Sequence, residues 1–268
     1  LVDSRGLIAS AKRYDLAARI DGRIRRVLGS GAVFTSLERR GQGGAAALMT
    51  EIIDAAVAEG YEFALLFSEI GPRYYERFDF VPIPLVESSV TIRTPGGTPA
   101  MLVRAGDDRD IPLVAEMSAV RAADARFALD RGEDWIRYAI AKKRLLAGLG
   151  PAGLRHVEFL VTEEGHMAVA YLVCTHHEGR WTIEDCGDRD PSGARVGAML
   201  QTMIAREPSH QPPEIRAWWP AGWTPPQLDI TPLGPTTEVM MLRPLQDRTL
   251  PLPPLEASQI VYWKGDVF

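Results

Sequence analysis

The chain has 268 residues, enough for one large domain or two small ones, with 46% apolar and 24% charged residues as in an ordinary soluble globular protein. Its net charge is −5 and no basic tract stands out, which argues against nucleic acid as a partner. No apolar run approaches the ~20 residues of a membrane helix and no signal peptide is visible, so no membrane partner is expected. The two cysteines, Cys174 and Cys186, are too few for a disulfide framework and read as packed, reduced thiols of a cytoplasmic protein.

In chain order, Leu1-Val2-Asp3 reads as the end of a strand and Ser4-Arg5-Gly6 as a turn. The alternation of Leu7, Ala9, Ala11, then Leu16, Ala18 and Ile20 predicts a strand over 7–20 with a bulge near Tyr14. Asp21-Gly22 is a strong hairpin signal, and 23–37 returns as a strand. Gly29 and Gly31 lie inside that strand, where glycine marks a bulge or a close backbone approach. The strand runs through Val33, Phe34 and Thr35 into a glycine-rich turn, Arg40-Gly41-Gln42-Gly43-Gly44-Ala45. A helical apolar pattern follows at Ala47, Leu48, Ile52, Ile53 and Ala56 and ends at Gly60. Strand, glycine turn and helix start present free backbone N–H groups to an anion, and the missing Cβ atoms let it come close. No Lys closes the turn as a Walker loop would require, and no acidic residue stands at the distance a dinucleotide fingerprint requires.

Residues 61–67 read as a short buried strand ending at Ser68-Glu69. Gly71-Pro72 then opens a turn into Arg73-Tyr74-Tyr75-Glu76-Arg77-Phe78-Asp79-Phe80. The pattern R-x-x-G-x-A at Arg40, Gly43 and Ala45, followed in order by helix, strand and this tyrosine-bearing segment, resembles the GCN5-related N-acetyltransferase (GNAT) superfamily. Asp79 stands where the second signature usually has glycine. The resemblance implies that Arg40, Gly41, Gln42, Gly43, Gly44 and Ala45 hold the pyrophosphate of acetyl-CoA. It also implies that Val33, Phe34 and Thr35 lie on a bulged, splayed strand beside the pantetheine arm and thioester. The resemblance covers 1–94; the family's first strand and first two helices would precede Leu1.

Thr94-Pro95-Gly96-Gly97-Thr98-Pro99 is a boundary signal. Beyond it a strand is expected at Met101-Leu102-Val103-Arg104, and helix over 111–149 broken near Gly132. Further strands are expected at 157–162, 167–175, 180–184, 214–219 and, as the last, 237–243. The start of the chain is echoed in pattern at 160–170, so the second half reads as another GNAT-like domain. Its turn, Asp188-Arg189-Asp190-Pro191-Ser192-Gly193-Ala194, lacks the motif and carries acids where a pyrophosphate needs donors, so this copy is expected to shape the acceptor cleft without binding CoA. The fold expectation is therefore α/β (α+β): two GNAT-like domains with mixed, mostly antiparallel sheets, at 1–94 and 100–245, then a Pro-rich linker and tail over 246–268. This is similar to the tandem acetyltransferases of the enhanced-intracellular-survival type, although no room remains for their third domain.

Acyl transfer from a thioester to an amine needs an oxyanion donor, a base for the amine and an acid for the thiolate. The resemblance assigns the acid to Tyr75, because Tyr75-x-Arg77-Phe78 fits the signature register better than Tyr74. Glu69 is a candidate base, ahead of the exposed Glu38, and the tandem family implies a terminal carboxylate, here that of Phe268. No cysteine lies in the first domain, so direct attack by a primary amine in a ternary complex is expected. A non-catalytic CoA-binding module and a longer acyl group, with room beside Gly29 and Gly31, are the rivals. No metal is expected: His176-His177 sits at a hairpin tip without ligand spacing, and Glu184, Asp185, Asp188 and Asp190 read as a solvated edge. Trp218, Trp219 and Trp223 read as interdomain packing. The oligomeric state stays open, a homo-oligomer included.

Overall fold

The computed structural model describes residues 1–4, 6–93, 101–207, 212–246 and 254–268. These form two mixed seven-stranded sheets, flanked by helices, and a small two-stranded ribbon, Val2–Asp3 with Gly6–Leu7. The first sheet runs in the order Ile260–Val261, Phe127–Leu129, Ala9–Ile20, Arg23–Thr35, Phe63–Ser68, Val239–Pro244, Val81–Pro82. The second runs Leu228–Pro235, Val86–Ile92, Glu214–Ala217, Arg180–Asp188, Met167–His177, Arg155–Glu164, Val103–Ala105.

The two halves are interleaved. Val86–Ile92, from the first half of the chain, pairs with Leu228–Pro235 and Glu214–Ala217 in the second sheet. Val239–Pro244 returns to the first sheet, antiparallel to Phe63–Ser68. Neither sheet is therefore one contiguous stretch, and a division at 94 and 100 cuts across the strand pairing. The boundary peptide 94–100 and most of the Pro-rich linker (247–253) lie outside the described residues.

Several expected elements shift for local reasons. Asp21 (φ 48°) and Gly22 (φ 77°) make the hairpin turn with both central residues in the left-handed region. The bulge falls at Ala32 and Val33, which together oppose Ala11, whereas Tyr14 pairs regularly with Gly29. The region 111–149 is two helices, Ile111–Ala122 and Glu133–Gly148, with the strand Phe127–Leu129 between them. That strand joins the first sheet beside Ala9–Ile20 and is in turn paired by Ile260–Val261, so 237–243 is not the last strand. Helix Gly44–Ala58 covers one face of the first sheet, setting Met49, Ile52, Ile53 and Ala56 against Leu28, Leu66 and Met241. The other face is packed by Trp218 together with Leu255, Ile260 and Tyr262 from the end of the chain. At ~25 cal/mol per Å² of buried apolar surface, these contacts make the tail part of the core.

Candidate active site

The strand Arg23–Thr35 pairs in parallel with Phe63–Ser68 only from Val27–Phe63 to Ser30–Leu66. Beyond Ser30 the two separate, starting at the bulge where Ala32 takes φ 49°. The opening is a cleft of about 660 Å³. Ser36 N–H donates to Ile8 O at 3.0 Å. Alternation along the strand then sends the Phe34 N–H into the same ladder and leaves that of Thr35 facing the cleft. Val33 and Thr35 line the cleft; Phe34 does not, and its side chain is 46% exposed.

The glycine turn forms the floor at one end. Gly43 (φ 82°) precedes helix Gly44–Ala58, and no side chain caps that helix start. Arg40, Gly41, Gly43, Gly44, Ala45 and Ala46 line the cleft, whereas Gln42 instead donates its side-chain amide to Glu38 O at 3.1 Å. Arg39 and Arg77 add positive charge that sequence reasoning did not assign to the site. Arg77 lies over the Tyr74 ring at 4.3 Å. A helix start with open N–H groups and guanidinium neighbours is an anion site.

At the other end stand Tyr75, Glu69 and Phe268. Tyr75 is 8% exposed, with its ring edge-on to Tyr74 at 5.0 Å. Burial, and then the neighbouring Tyr74, push its hydroxyl above the ordinary tyrosine value. That keeps the phenol protonated at neutral pH, as a proton donor must be. The buried Ser30 hydroxyl also lines the cleft and has no hydrogen-bond partner among the described residues. Nothing in the sequence singled it out.

Phe268 explains the two strand glycines. A Cβ on Gly31 would lie 2.9 Å from the Phe268 main-chain oxygen, and one on Gly29 2.9 Å from its ring. The space beside Gly29 and Gly31 is thus filled by Phe268, whose ring meets Tyr14 at 4.8 Å, Phe67 at 5.5 Å and Trp135 at 6.3 Å between centroids.

The second half anchors this tail. Lys142 Nζ donates to Val267 O at 2.6 Å and Lys143 Nζ to Lys264 O at 3.2 Å. Trp135 Nε1 donates to Asp266 Oδ1 at 2.8 Å, and Arg131 Nε lies 3.1 Å from the same oxygen. Arg131 also pairs with Asp185, which accepts from the Tyr171 hydroxyl at 2.9 Å. Burial pushes the Asp266 carboxyl up to about 6, against the pull of Arg131. Burial, with Lys143 and Lys12 nearby, brings the Lys142 ammonium down to about 8. The acids expected as a solvated edge are mostly interior: Glu184, Asp185 and Asp188 are 4%, 4% and 5% exposed. Burial is tolerated because each meets a cation, Lys143, Arg131 and Arg195 respectively. Cys174 and Cys186 are buried free thiols, as expected.

The turn that echoes the first one likewise meets its helix through a left-handed glycine. Gly193 (φ 73°) precedes helix Ala194–Ile204. Here Asp188 accepts from the Asp190 N–H and the Arg195 N–H, both at 2.8 Å, and pairs with the Arg195 guanidinium at 3.1 Å. Trp223 closes the glycine face, 2.7 Å from where a Gly193 Cβ would sit. A carboxylate of the chain already occupies this helix start.

Residues 1–83 match the family model for an acetyltransferase (GNAT) domain. Over that stretch the chain is similar to GNAT domains. No curated protein matches the sequence. Among solved structures, the chain is similar to a GCN5-related N-acetyltransferase from Kribbella flavida, at TM-score 0.63 and 14% identity over 91% of this chain and 59% of that one. A protein of unknown function from Enterococcus faecalis, described as a probable N-acyltransferase, aligns at TM-score 0.65 and 13% identity over 90% and 60%. Eis1 from Mycobacterium abscessus aligns at TM-score 0.59 and 14% identity over 91% and 63%. These likenesses show the fold. The chain spans about three fifths of the length of the solved structures it matches, 59% to 63% in these cases.

Proposed function

We propose that the chain is an acyl-CoA-dependent N-acyltransferase that moves an acetyl group from acetyl-CoA to a primary amine of a small molecule or peptide. The observation that carries this reading is the convergence, in one cleft, of an uncapped helix start behind Gly43 with Tyr75, Glu69 and Phe268. The pyrophosphate would rest on the N–H groups of the turn, with Arg40 beside it. The pantetheine arm would follow the splayed strand past Val33, and the Thr35 N–H would polarise the thioester carbonyl. The amine nitrogen attacks the carbonyl carbon, the C–S bond breaks, and Tyr75 returns a proton to the departing thiolate. Glu69, in the same cleft, is a candidate base for the amine; were Phe268 the natural terminus, its carboxylate, held over Gly31, would be the other.

The turn at 188–194 is proposed not to bind CoA, because Asp188 holds the donors that a phosphate would need. A longer acyl group is the weaker reading, since the Phe268 ring fills the space beside Gly29 and Gly31. A non-catalytic CoA-binding module is the rival of another class. No helix among the described residues is long and apolar enough to cross a membrane. The test is thiol release from acetyl-CoA with a panel of primary amines. Amine-dependent release of CoA is expected. Tight CoA binding with no release for any amine would favour the rival.

A further inference from the structure

We propose that the hairpin of Arg155–Glu164 and Met167–His177 carries a binding site for a zinc-type divalent ion, built from His156, Glu158 and His176. It is independent of the acyl-transfer reading, and none of the three lines the cleft. His156 and His176 are direct partners across the antiparallel ladder. Their rings lie nearly parallel, 13° apart with centroids at 4.3 Å. Glu158 is two residues along from His156 and so shares its face of the sheet. Its Oε2 lies 3.1 Å from Nε2 of His176. One donor atom from each residue lies within 4.8 Å of the other two.

An ion bound at about 2.0–2.2 Å to imidazole nitrogen and carboxylate oxygen needs donors roughly 3.3 Å apart in a tetrahedron. Binding would require the side chains to turn so that the donors, now within 4.8 Å of one another, converge on the ion. The Nε2 of His176 is buried and, among the described residues, makes no aligned hydrogen bond; it faces the Glu158 carboxylate at 3.1 Å, so an ion would sit between the two. The His176 side chain is 11% exposed and is held against Trp181 at 4.8 Å between rings. His156 is exposed and supplies the way in. Arg206 is the cation that opposes binding.

Two imidazoles and one carboxylate, with water in the fourth place, suit zinc, nickel or copper(II) and suit magnesium or calcium poorly. Because the histidines come from adjacent strands, the ion would clamp the hairpin. Sequence spacing concealed the set: His176-His177 offers side chains to opposite faces, and the true partners stand across the ladder.

The test is calorimetric titration of chelator-treated protein with ZnCl2, NiCl2 and MgCl2 at pH 7.5, with Tm measured in parallel. One zinc or nickel ion per chain, a raised Tm and no magnesium binding are expected. His156→Ala, at an exposed position, should lower zinc affinity at least tenfold and remove the Tm gain. His176→Gln should do the same, and His177→Ala should change neither. No zinc binding, or an unchanged affinity in His156→Ala, would overturn the site.

Discussion

The turns at 40–44 and 188–193 meet their helices alike: each ends in a left-handed glycine, at φ 82° and 73°, that opens a helix. They differ in what meets the donors. The first has no side-chain cap and opens into a cleft that Arg39, Arg40 and Arg77 also line. The second is closed by Asp188 from within and by Trp223 from above. The same local geometry is thus an open anion site in one half and a finished structural joint in the other. What separates them is one carboxylate and its cation, Arg195. The second half contributes differently, through Arg131, Trp135, Lys142 and Lys143, which hold the tail that enters the first half's cleft.

The most forceful way to break the contrast is to give the first turn the second turn's plug. Gly43→Asp places a carboxylate at the open helix start and should weaken CoA binding at least 100-fold. The left-handed φ costs the folded protein only about 1–2 kcal/mol with this residue, so a folded variant is expected. Circular dichroism checks folding and calorimetry checks binding; near-normal affinity would show that the pyrophosphate lies elsewhere.

Tyr75→Phe sharpens the chemical side of the contrast. It removes the proton donor and leaves the turn intact, so kcat should fall about 100-fold while CoA affinity stays within about twofold. Steady-state rates and a CoA titration read the two separately. An unchanged kcat would remove Tyr75 as the acid.

These two positions were legible in the sequence because their signals are local. Arg40, Gly43 and Ala45 sit within one turn, and Tyr75 precedes an aromatic-rich segment that anchors it. Asp188 was legible as a misfit, but its role as a plug was not, because Arg195 meets it only after the helix folds back. Glu184 and Asp185 looked solvated for the same reason: their cations, Lys143 and Arg131, come from a distant helix and the loop before it. The strand Phe127–Leu129 is three residues between two helices, too short for periodicity to register. The exchange of Val86–Ile92 and Val239–Pro244 between sheets is a matter of pairing partner, which strand composition does not encode. Phe268 was placed by resemblance alone; the glycines that admit it were read as spare room.

The smallest expected effect concerns the tail anchor. The Asp266 carboxyl is raised from 3.8 to about 6, so the fold favours its protonated form. Its contribution to stability is full below about pH 4 and is lost as pH rises through about 6. Asp266→Asn keeps the neutral shape. The variant should therefore gain on wild type by about 2–3 kcal/mol between pH 4 and pH 7. Chemical denaturation at both values checks this; a constant difference would mean that Asp266 is ionised throughout.

The central claim is that one of two matching turns is open to an anion and the other is sealed. The stoichiometry of acetyl-CoA binding to the intact chain, by calorimetry, tests it most directly. One molecule per chain is expected, absent in Gly43→Asp and retained in Asp188→Asn. Two molecules per chain, or one that survives Gly43→Asp, would contradict it.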